Sequence, residues 1–374
     1  VSGKLRTLTI FGTRPEAIKL APVLQQLEQS SAIDSTICIT AQHRQMLDQV
    51  LTLFEISPDY DLDIMRPAQP LNALTAAVFE GLEPVLQEVR PDWVLVQGDT
   101  TTVMCAALLS YYHQIRIGHV EAGLRTGDKY QPFPEEINRK VLGSVADLHF
   151  APTEWAKRNL LGESVPEEQI LVTGNPVIDA LHQVVEMPVE VVDGPLSAMD
   201  SWETIILVTA HRRENFGEPL ERIFQALRRI AEKFGNGVHL VYPVHMNPNV
   251  QQPAQQQLSN IPNIHLIEPL EYLPMVHLMK RAHLILTDSG GIQEEAPALG
   301  TPVLVLREKT ERPEALEAGT AILVGTDADR IFDETKRLME SQEAHAAMAK
   351  AVNPFGDGHA AQRIVEKLLA DGVA

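Results

Sequence analysis

Cysteine is scarce in this chain: two residues in 374, Cys38 and Cys105. Both sit in apolar segments that read as a strand and a helix, with no CxxC or histidine-flanked spacing. That excludes a disulfide scaffold and a thiolate metal site, and fits core residues in a reducing compartment. Long apolar runs are missing as well. Lys4, Arg6, Arg14, Glu16 and Lys19 interrupt the first thirty residues, leaving room for neither a signal-peptide core nor a membrane span. A cytoplasmic protein with no membrane partner is expected. Basic charge is short, with 31 Lys and Arg against 50 Asp and Glu, a formal net charge of −19. Such a surface repels nucleic acid and anionic membranes, so an anionic ligand must be held by a local basic cluster, and a small phosphorylated substrate is expected rather than a polymer. Three signatures are absent too: GxGxxG followed by a ribose-binding acid, the Walker pattern GxxxxGK[ST], and HExxH or paired-carboxylate metal spacing. A nicotinamide cofactor, a P-loop and a metal site are therefore not expected, and no cofactor is assigned.

What is present is the composition of a globular protein, 44% hydrophobic and 22% charged, in a chain long enough for two domains. Short β-branched runs alternate with longer segments of helical period. The first half has Leu5–Phe11, Thr36–Thr40, Trp93–Gln97, Arg116–Val120 and Leu148–Ala151. The second half restarts with Thr204–Thr209, Val238–Tyr242, Ile264–Ile267, His283–Thr287, Pro302–Leu306 and Ala321–Val324. Continuous apolar strands joined by helical crossovers predict an α/β protein of two doubly wound parallel sheets. Pro188, Gly194 and Pro195 mark a linker within Val184–Ser201. The expected division is residues 1–183, residues 184–353, and a C-terminal segment 354–374 whose helix, Gly356–Ala370, crosses back to brace the first domain.

The polar motifs fall at strand ends. GTRPE (12–16), QGDTTT (97–102), HVEAGLRT (119–126), TAHRREN (209–215), PVHMNP (243–248), DSGGIQEE (288–295) and REKTERPE (307–314) each begin where an apolar run stops. Ligands of open parallel sheets bind at that carboxyl edge, and two Rossmann-like domains facing a central cleft would set all seven motifs around one ligand. DSGGIQEE carries the most information. A strand leading through Ser289, Gly290 and Gly291 into a helix offers bare backbone N–H groups and the positive end of a helix dipole to an anion. Glu294 and Glu295 follow one turn later, where a carboxylate can accept from ribose hydroxyls. A diphosphate fits such a cradle, although Ser289 as a simple helix cap also explains the pattern.

Thr13 and Glu16 have capping-box spacing, but a cap requires neither Arg14 nor Lys19, which are placed to meet an anion. His211, Arg212, Arg213 and Arg312 extend the cationic set. Asp99, Glu121 and Glu135 gather in the first half as carboxylates suited to dividing acid and base work. Each also has a bland local explanation: Asp99 as a cap at Thr100, Glu121 paired with Arg125, Glu135 paired with Arg139 at i, i+4. The residues themselves point to a metal-free enzyme acting on a nucleotide-activated molecule. A retaining glycosyltransferase and a non-catalytic nucleotide-sugar sensor remain alternatives at this level.

FGTRPEAIKLAPV, TAQHRQMLDQV, GDTTT, GHVEAGLRTGDKYQPFPEEINR, TAHRRENFGEP, VYPVHMNPNV, LTDSGGIQEEAPALG and TERPEALEAGT closely resemble the bacterial non-hydrolysing UDP-N-acetylglucosamine 2-epimerases, from Leu5 to Leu369. The resemblance implies a glycosyltransferase-B-like fold, a homodimer, and interconversion of UDP-N-acetylglucosamine and UDP-N-acetylmannosamine for surface-polysaccharide synthesis. It implies elimination and re-addition of UDP through 2-acetamidoglucal, with a catalytic set of Asp99, Glu121, Glu135 and His211, the three carboxylates as acid and base groups and His211 near the diphosphate. Arg14, Lys19, Arg139, Ser289, Gly290, Gly291, Glu295 and Arg312 match substrate-binding positions. Leu270 and Met275 stand where some relatives carry Gln and Phe, in the segment near the uracil. Gln42, His43, Gln45 and His245 correspond to residues that bind a second, activating UDP-N-acetylglucosamine in some members, while an arginine of that regulatory site is replaced by Ala68, near Arg66. Pro176 in TGNPVID, where Thr is common, falls near the domain junction and is suited to stiffening a hinge. A hydrolysing epimerase, which releases free sugar, is the nearest rival within this resemblance.

Overall fold

The computed structural model of the chain describes residues 3–41, 44–66, 69–189, 199 and 201–372. Backbone contacts divide it into two compact units, Val1–His182 with Phe355–Ala374, and Gln183–Pro354.

The first unit is built on a seven-stranded parallel sheet. Its strands are β1 (Leu5–Phe11), β2 (Ile33–Ile39), β3 (Tyr60–Asp61), β4 (Trp93–Gln97), β5 (Arg116–Val120), β6 (Leu148–Ala151) and β7 (Ile170–Val172), in the order β3-β2-β1-β4-β5-β6-β7. The order reverses direction between β1 and β4, which opens a crevice at the carboxyl edge there. All five residues of β4 are buried, as a central strand covered on both faces requires. Leu8, Ile10, Val94 and Val96 pack with Val78, Leu82, Leu86, Val103 and Ala107 from two helices, Leu71–Val89 and Thr101–Tyr112. At roughly 1.5–3 kcal/mol for each fully buried large side chain, this layer supplies much of the unit's stability.

The second unit repeats the plan with six parallel strands: β8 (Thr204–Thr209), β9 (Val238–Pro243), β10 (Ile264–Ile267), β11 (Leu284–Thr287), β12 (Val303–Val305) and β13 (Ala321–Leu323), in the order β10-β9-β8-β11-β12-β13. The helix Glu218–Phe234 buries Leu220, Ile223, Phe224, Leu227 and Ile230, the i, i+3, i+4 stripe of a surface helix, against this sheet. Two doubly wound Rossmann-like sheets are thus the architecture that the alternating runs predict. β3 and β7 were not foreseen, because two and three residues are too short to show a period.

The helix Pro176–Val185 carries the chain out of the first unit, beginning at Pro176, whose missing N–H is harmless at a helix start. Helical structure therefore reaches into the span expected as linker, and Met199 near its far end is buried. Gly194 and Pro195 lie outside the described residues. The last helix runs Ala360–Asp371 and starts later than the sequence suggests, because the Asp179 carboxylate accepts from the N–H groups of Ala361 at 2.9 Å and Ala360 at 3.2 Å and fixes the helix start there. Its far end is tied to β4 and β5: the Arg116 guanidinium donates to the Gly372 carbonyl and stacks 4.4 Å from the Trp93 ring centre. No helix among the described residues is long and apolar enough to cross a membrane.

Candidate functional site

In the first unit the carboxyl edge of β1, β4 and β5 collects the charged groups. Thr13 and Glu16 form a full capping box at the start of the helix Arg14–Gln29. The buried Glu16 carboxylate accepts from Gly12 and Thr13 N–H, each at 2.7 Å, and from the Thr100 hydroxyl at 2.6 Å, so it ties the loop after β1 to the loop after β4. Burial raises its pKa, with these hydrogen bonds opposing the shift. Gly12 is required by close approach, since a Cβ there would meet Thr40 Oγ1 at 2.1 Å.

Lys19, one turn on from Glu16, sends its ammonium 2.5 Å from Glu121 Oε1. Glu121 follows β5 in the left-handed region, at φ 62°, a conformation costing a non-glycine residue about 1–2 kcal/mol. Such strain persists where surrounding contacts hold it, and here Gln97 Nε2 at 2.5 Å and Asn175 Nδ2 at 2.8 Å also donate to the carboxylate. Asp99 is gripped by Arg139, with both Nε and Nη2 at 2.8 Å from Oδ2, and Arg139 reaches Glu136 at 3.2 Å. Glu135, the first residue of the helix Glu135–Val145, is half-buried, and its Oε2 is buried with no hydrogen-bond partner. Arg14 is half-buried at the start of its own helix.

The local pairings suggested by sequence spacing do not form. Arg125 turns to Glu163, at 2.7 Å, and leaves Glu121 to Lys19. Arg139 takes Asp99 and Glu136 in place of Glu135. The cap at the start of the helix Thr101–Tyr112 is Thr100, not Asp99. Beneath these groups His119 Nε2 lies 2.7 Å from the Gly98 carbonyl, holding the loop that presents Asp99. Burial, then His149, pushes His119 down to about 3, and burial pushes His149 to about 4, so both rings are neutral.

In the second unit the organising residue is Asp288, fully buried after β11. Its Oδ2 accepts from His211 and Arg212 N–H, each at 2.8 Å, and from Asn215 Nδ2 at 2.9 Å, which fastens the loop after β8 beside the start of the helix Gly290–Ala298. Oδ1 lies 3.5 Å from His211 Nδ1 without hydrogen-bond geometry. Burial holds the His211 ring below the usual histidine range; Asp288 pulls it up, while Arg212 and His245 add to the lowering. His245 stacks on His211 with ring centres 5.5 Å apart.

Ser289 is the helix N-cap but makes no side-chain cap bond, which leaves its hydroxyl available to a ligand. A Cβ placed on Gly290 would lie 3.7 Å from Arg312 Nη2 and 3.9 Å from Arg212 Nη2. Two guanidinium groups therefore flank a bare helix start, an arrangement suited to a diphosphate. Arg312 is anchored by Glu294, whose side chain is buried, so Glu294 is not offered to a ribose as the sequence suggests. The Glu295 carboxylate folds back toward Gly291 and remains half-exposed. Leu270 and Met275, both half-buried, stand after β10 and in the helix Tyr272–Arg281. Gln42, His43 and Ala68 lie outside the described residues, as does the side chain of Gln45. No group of three or more metal-ligating side chains occurs among the described residues.

Sequence reading overlooked Gln97, Asn175 and Asn215, the amides that hold Glu121 and Asp288. Asn175 follows β7, and recognising that short strand would have drawn attention to TGNP.

The profile of the family described as UDP-N-acetylglucosamine 2-epimerase matches residues 25–369. A UDP-N-acetylglucosamine 2-epimerase of Yersinia pestis is 56% identical over 370 residues, covering 97% of this chain and 98% of its own. Among solved structures, the UDP-GlcNAc 2-epimerase of Neisseria meningitidis bound to UDP-GlcNAc is 49% identical with a TM-score of 0.88, covering 98% of this chain and 100% of its own. The glycotransferase of kitacinnamycin, 13% identical with a TM-score of 0.63 over 98% of this chain and 100% of its own, shares the fold alone. This chain belongs to the UDP-N-acetylglucosamine 2-epimerase family.

Proposed function

We propose that this chain interconverts UDP-N-acetylglucosamine and UDP-N-acetylmannosamine by inverting C2. The observation that carries this reading is the pair of carboxylates at one sheet edge, Asp99 and Glu121, with Glu135 on the helix whose Arg139 grips Asp99, in a family whose Neisseria meningitidis member is bound to UDP-GlcNAc. The reaction runs by elimination. A carboxylate takes the C2 proton, the C2–H electrons form a C1=C2 bond, and the C1–O bond breaks with its electrons leaving on UDP. The enzyme then holds 2-acetamidoglucal and UDP. A second carboxyl group, in its protonated form, gives its proton to the opposite face of C2, and UDP adds back at C1.

The groups present suit each demand. Charge growing on the departing diphosphate is met by Arg212, Arg312 and the N-terminus of the helix Gly290–Ala298, with Ser289, Gly290, Gly291 and His211 beside it. In the first unit, Arg14 and Lys19 are the cations at the family's substrate-binding positions. Glu295 accepts from the ribose hydroxyls, and Leu270 and Met275 contact the base. Arg139 holds Asp99 in place. Neither cofactor nor metal enters this scheme. The protein works as a homodimer and supplies surface-polysaccharide synthesis.

The test is turnover in heavy water. Deuterium should appear at C2 of both product and recovered substrate, with no accumulation of free sugar. Product formed without label would sink the elimination route, and accumulating free sugar and UDP would assign a hydrolysing enzyme.

A further inference from the structure

The inference concerns Asn175 and rests on the reading of Glu121 as a catalytic group. Asn175 is buried; its side-chain Nδ2 donates to Glu121 Oε1 at 2.8 Å, and its Oδ1 accepts from Val177 N–H at 3.2 Å. Its backbone N–H donates to the Phe355 carbonyl at 2.7 Å. Phe355 is itself buried, and next to it Gly356, at φ 136°, lies against Gly174, at φ 87°; a Cβ on Gly174 would stand 3.1 Å from Gly356 Cα. The chain leaves the first unit along the helix Pro176–Val185, which begins immediately after Asn175, and returns at Phe355. Both chain passages between the units therefore meet at the residue whose amide touches Glu121.

We propose that Asn175 is a positioning residue, which fixes the orientation of the Glu121 carboxylate and couples it to the seating of the two chain crossings. A carboxylate that removes a proton from carbon must aim one lone pair along the C–H bond, so rotation of its terminal group costs rate. Asn175 on Oε1 and Gln97 on Oε2 fix that plane from opposite oxygens, while Lys19 supplies the charge. An amide does this without taking up the proton. Seating Phe355 and Gly356 against Gly174 holds the Asn175 backbone, and through it the amide.

The experiment compares wild type with Asn175→Ala, Asn175→Asp, Gly356→Ala, Glu121→Gln and Asp179→Asn, measuring kcat and KM for UDP-N-acetylglucosamine across pH, UDP affinity and Tm. Asn175→Ala loses one hydrogen bond to a charged group, so kcat should fall about ten- to a hundredfold with UDP affinity unchanged. Asn175→Asp keeps the size and the acceptor for Val177 but sets a second carboxylate against Glu121, and should move the acid limb of kcat upward by about one pH unit. Gly356→Ala should lower kcat without raising KM, because the added methyl would unseat the contact with Gly174. Asp179→Asn weakens the cap of the last helix and should lower Tm while leaving the acid limb in place. A dead Glu121→Gln beside an Asn175→Asp with the wild-type kcat and acid limb overturns this inference alone. Wild-type turnover in Glu121→Gln overturns it together with the catalytic reading of Glu121.

Discussion

Replacing Arg312 with alanine is expected to have two effects that a second substitution separates. The Arg312 guanidinium binds Glu294, whose side chain is 2% exposed, and also stands beside the bare backbone of Gly290. Truncation leaves a buried carboxylate without its guanidinium, and breaking such a pair from one side costs about 3–5 kcal/mol. That is a large share of the roughly 5–15 kcal/mol that holds a typical domain folded. The same truncation removes the charge-assisted contact to the diphosphate that we propose, worth about 1.5–3 kcal/mol, or roughly ten- to a hundredfold in Kd. Adding Glu294→Gln neutralises the buried carboxylate, so the double variant should regain most of the stability while UDP binding stays weak. Urea unfolding followed by circular dichroism reads the first effect, and calorimetric titration with UDP, at a temperature where every variant is folded, reads the second. A single variant as stable as wild type would refute the buried-pair argument. A double variant that recovers stability and UDP affinity together would show that Arg312 acts only through the fold.

Asp99→Asn, Glu121→Gln and Glu135→Gln should each lose at least about a hundredfold in turnover, as general acids and bases do, while UDP titration stays within a few-fold of wild type; wild-type turnover in any of them removes that residue from the set. The folded pKa of His149, about 4, lies below its ordinary 6.5. Its contribution to stability is therefore full above about pH 6.5 and is lost as pH falls toward 4, at about 1.4 kcal/mol per pH unit. Denaturation profiles of His149→Gln should be flatter over that window, and an unchanged slope would contradict the assignment. Glu16 has the opposite sign, since burial raises its folded pKa above the ordinary 4.5, so its favourable contribution is present below that value and fades as pH rises through the folded one. Glu16→Gln keeps an acceptor for Gly12 and Thr13 and should gain stability relative to wild type between pH 4.5 and 8; a constant difference would count against a raised pKa.

The sequence by itself determined the architecture and the places where chemistry collects. β1, β4, β5, β6, β8 and β10 begin and end where the apolar runs do, and the motifs sit at the carboxyl ends of β1, β4, β5, β8, β9, β11 and β12, because burial patterns and caps are local properties of the chain. The Thr13–Glu16 capping box could be read from spacing for the same reason. What only the tertiary structure decided is which charge meets which. Proximity along the chain offered Arg125 to Glu121 and Arg139 to Glu135, whereas the fold joined Lys19 to Glu121 across 102 positions, Asn175 to Glu121 across 54 and Arg139 to Asp99 across 40. Parallel strands require long crossovers, so neighbours at a sheet edge come from distant segments, and no local period records their pairing. The buried fate of Glu294, the hold of Asp288 on the loop after β8, and the meeting of both chain crossings at Asn175 arise in the same way, from packing that exists only once the sheets are assembled.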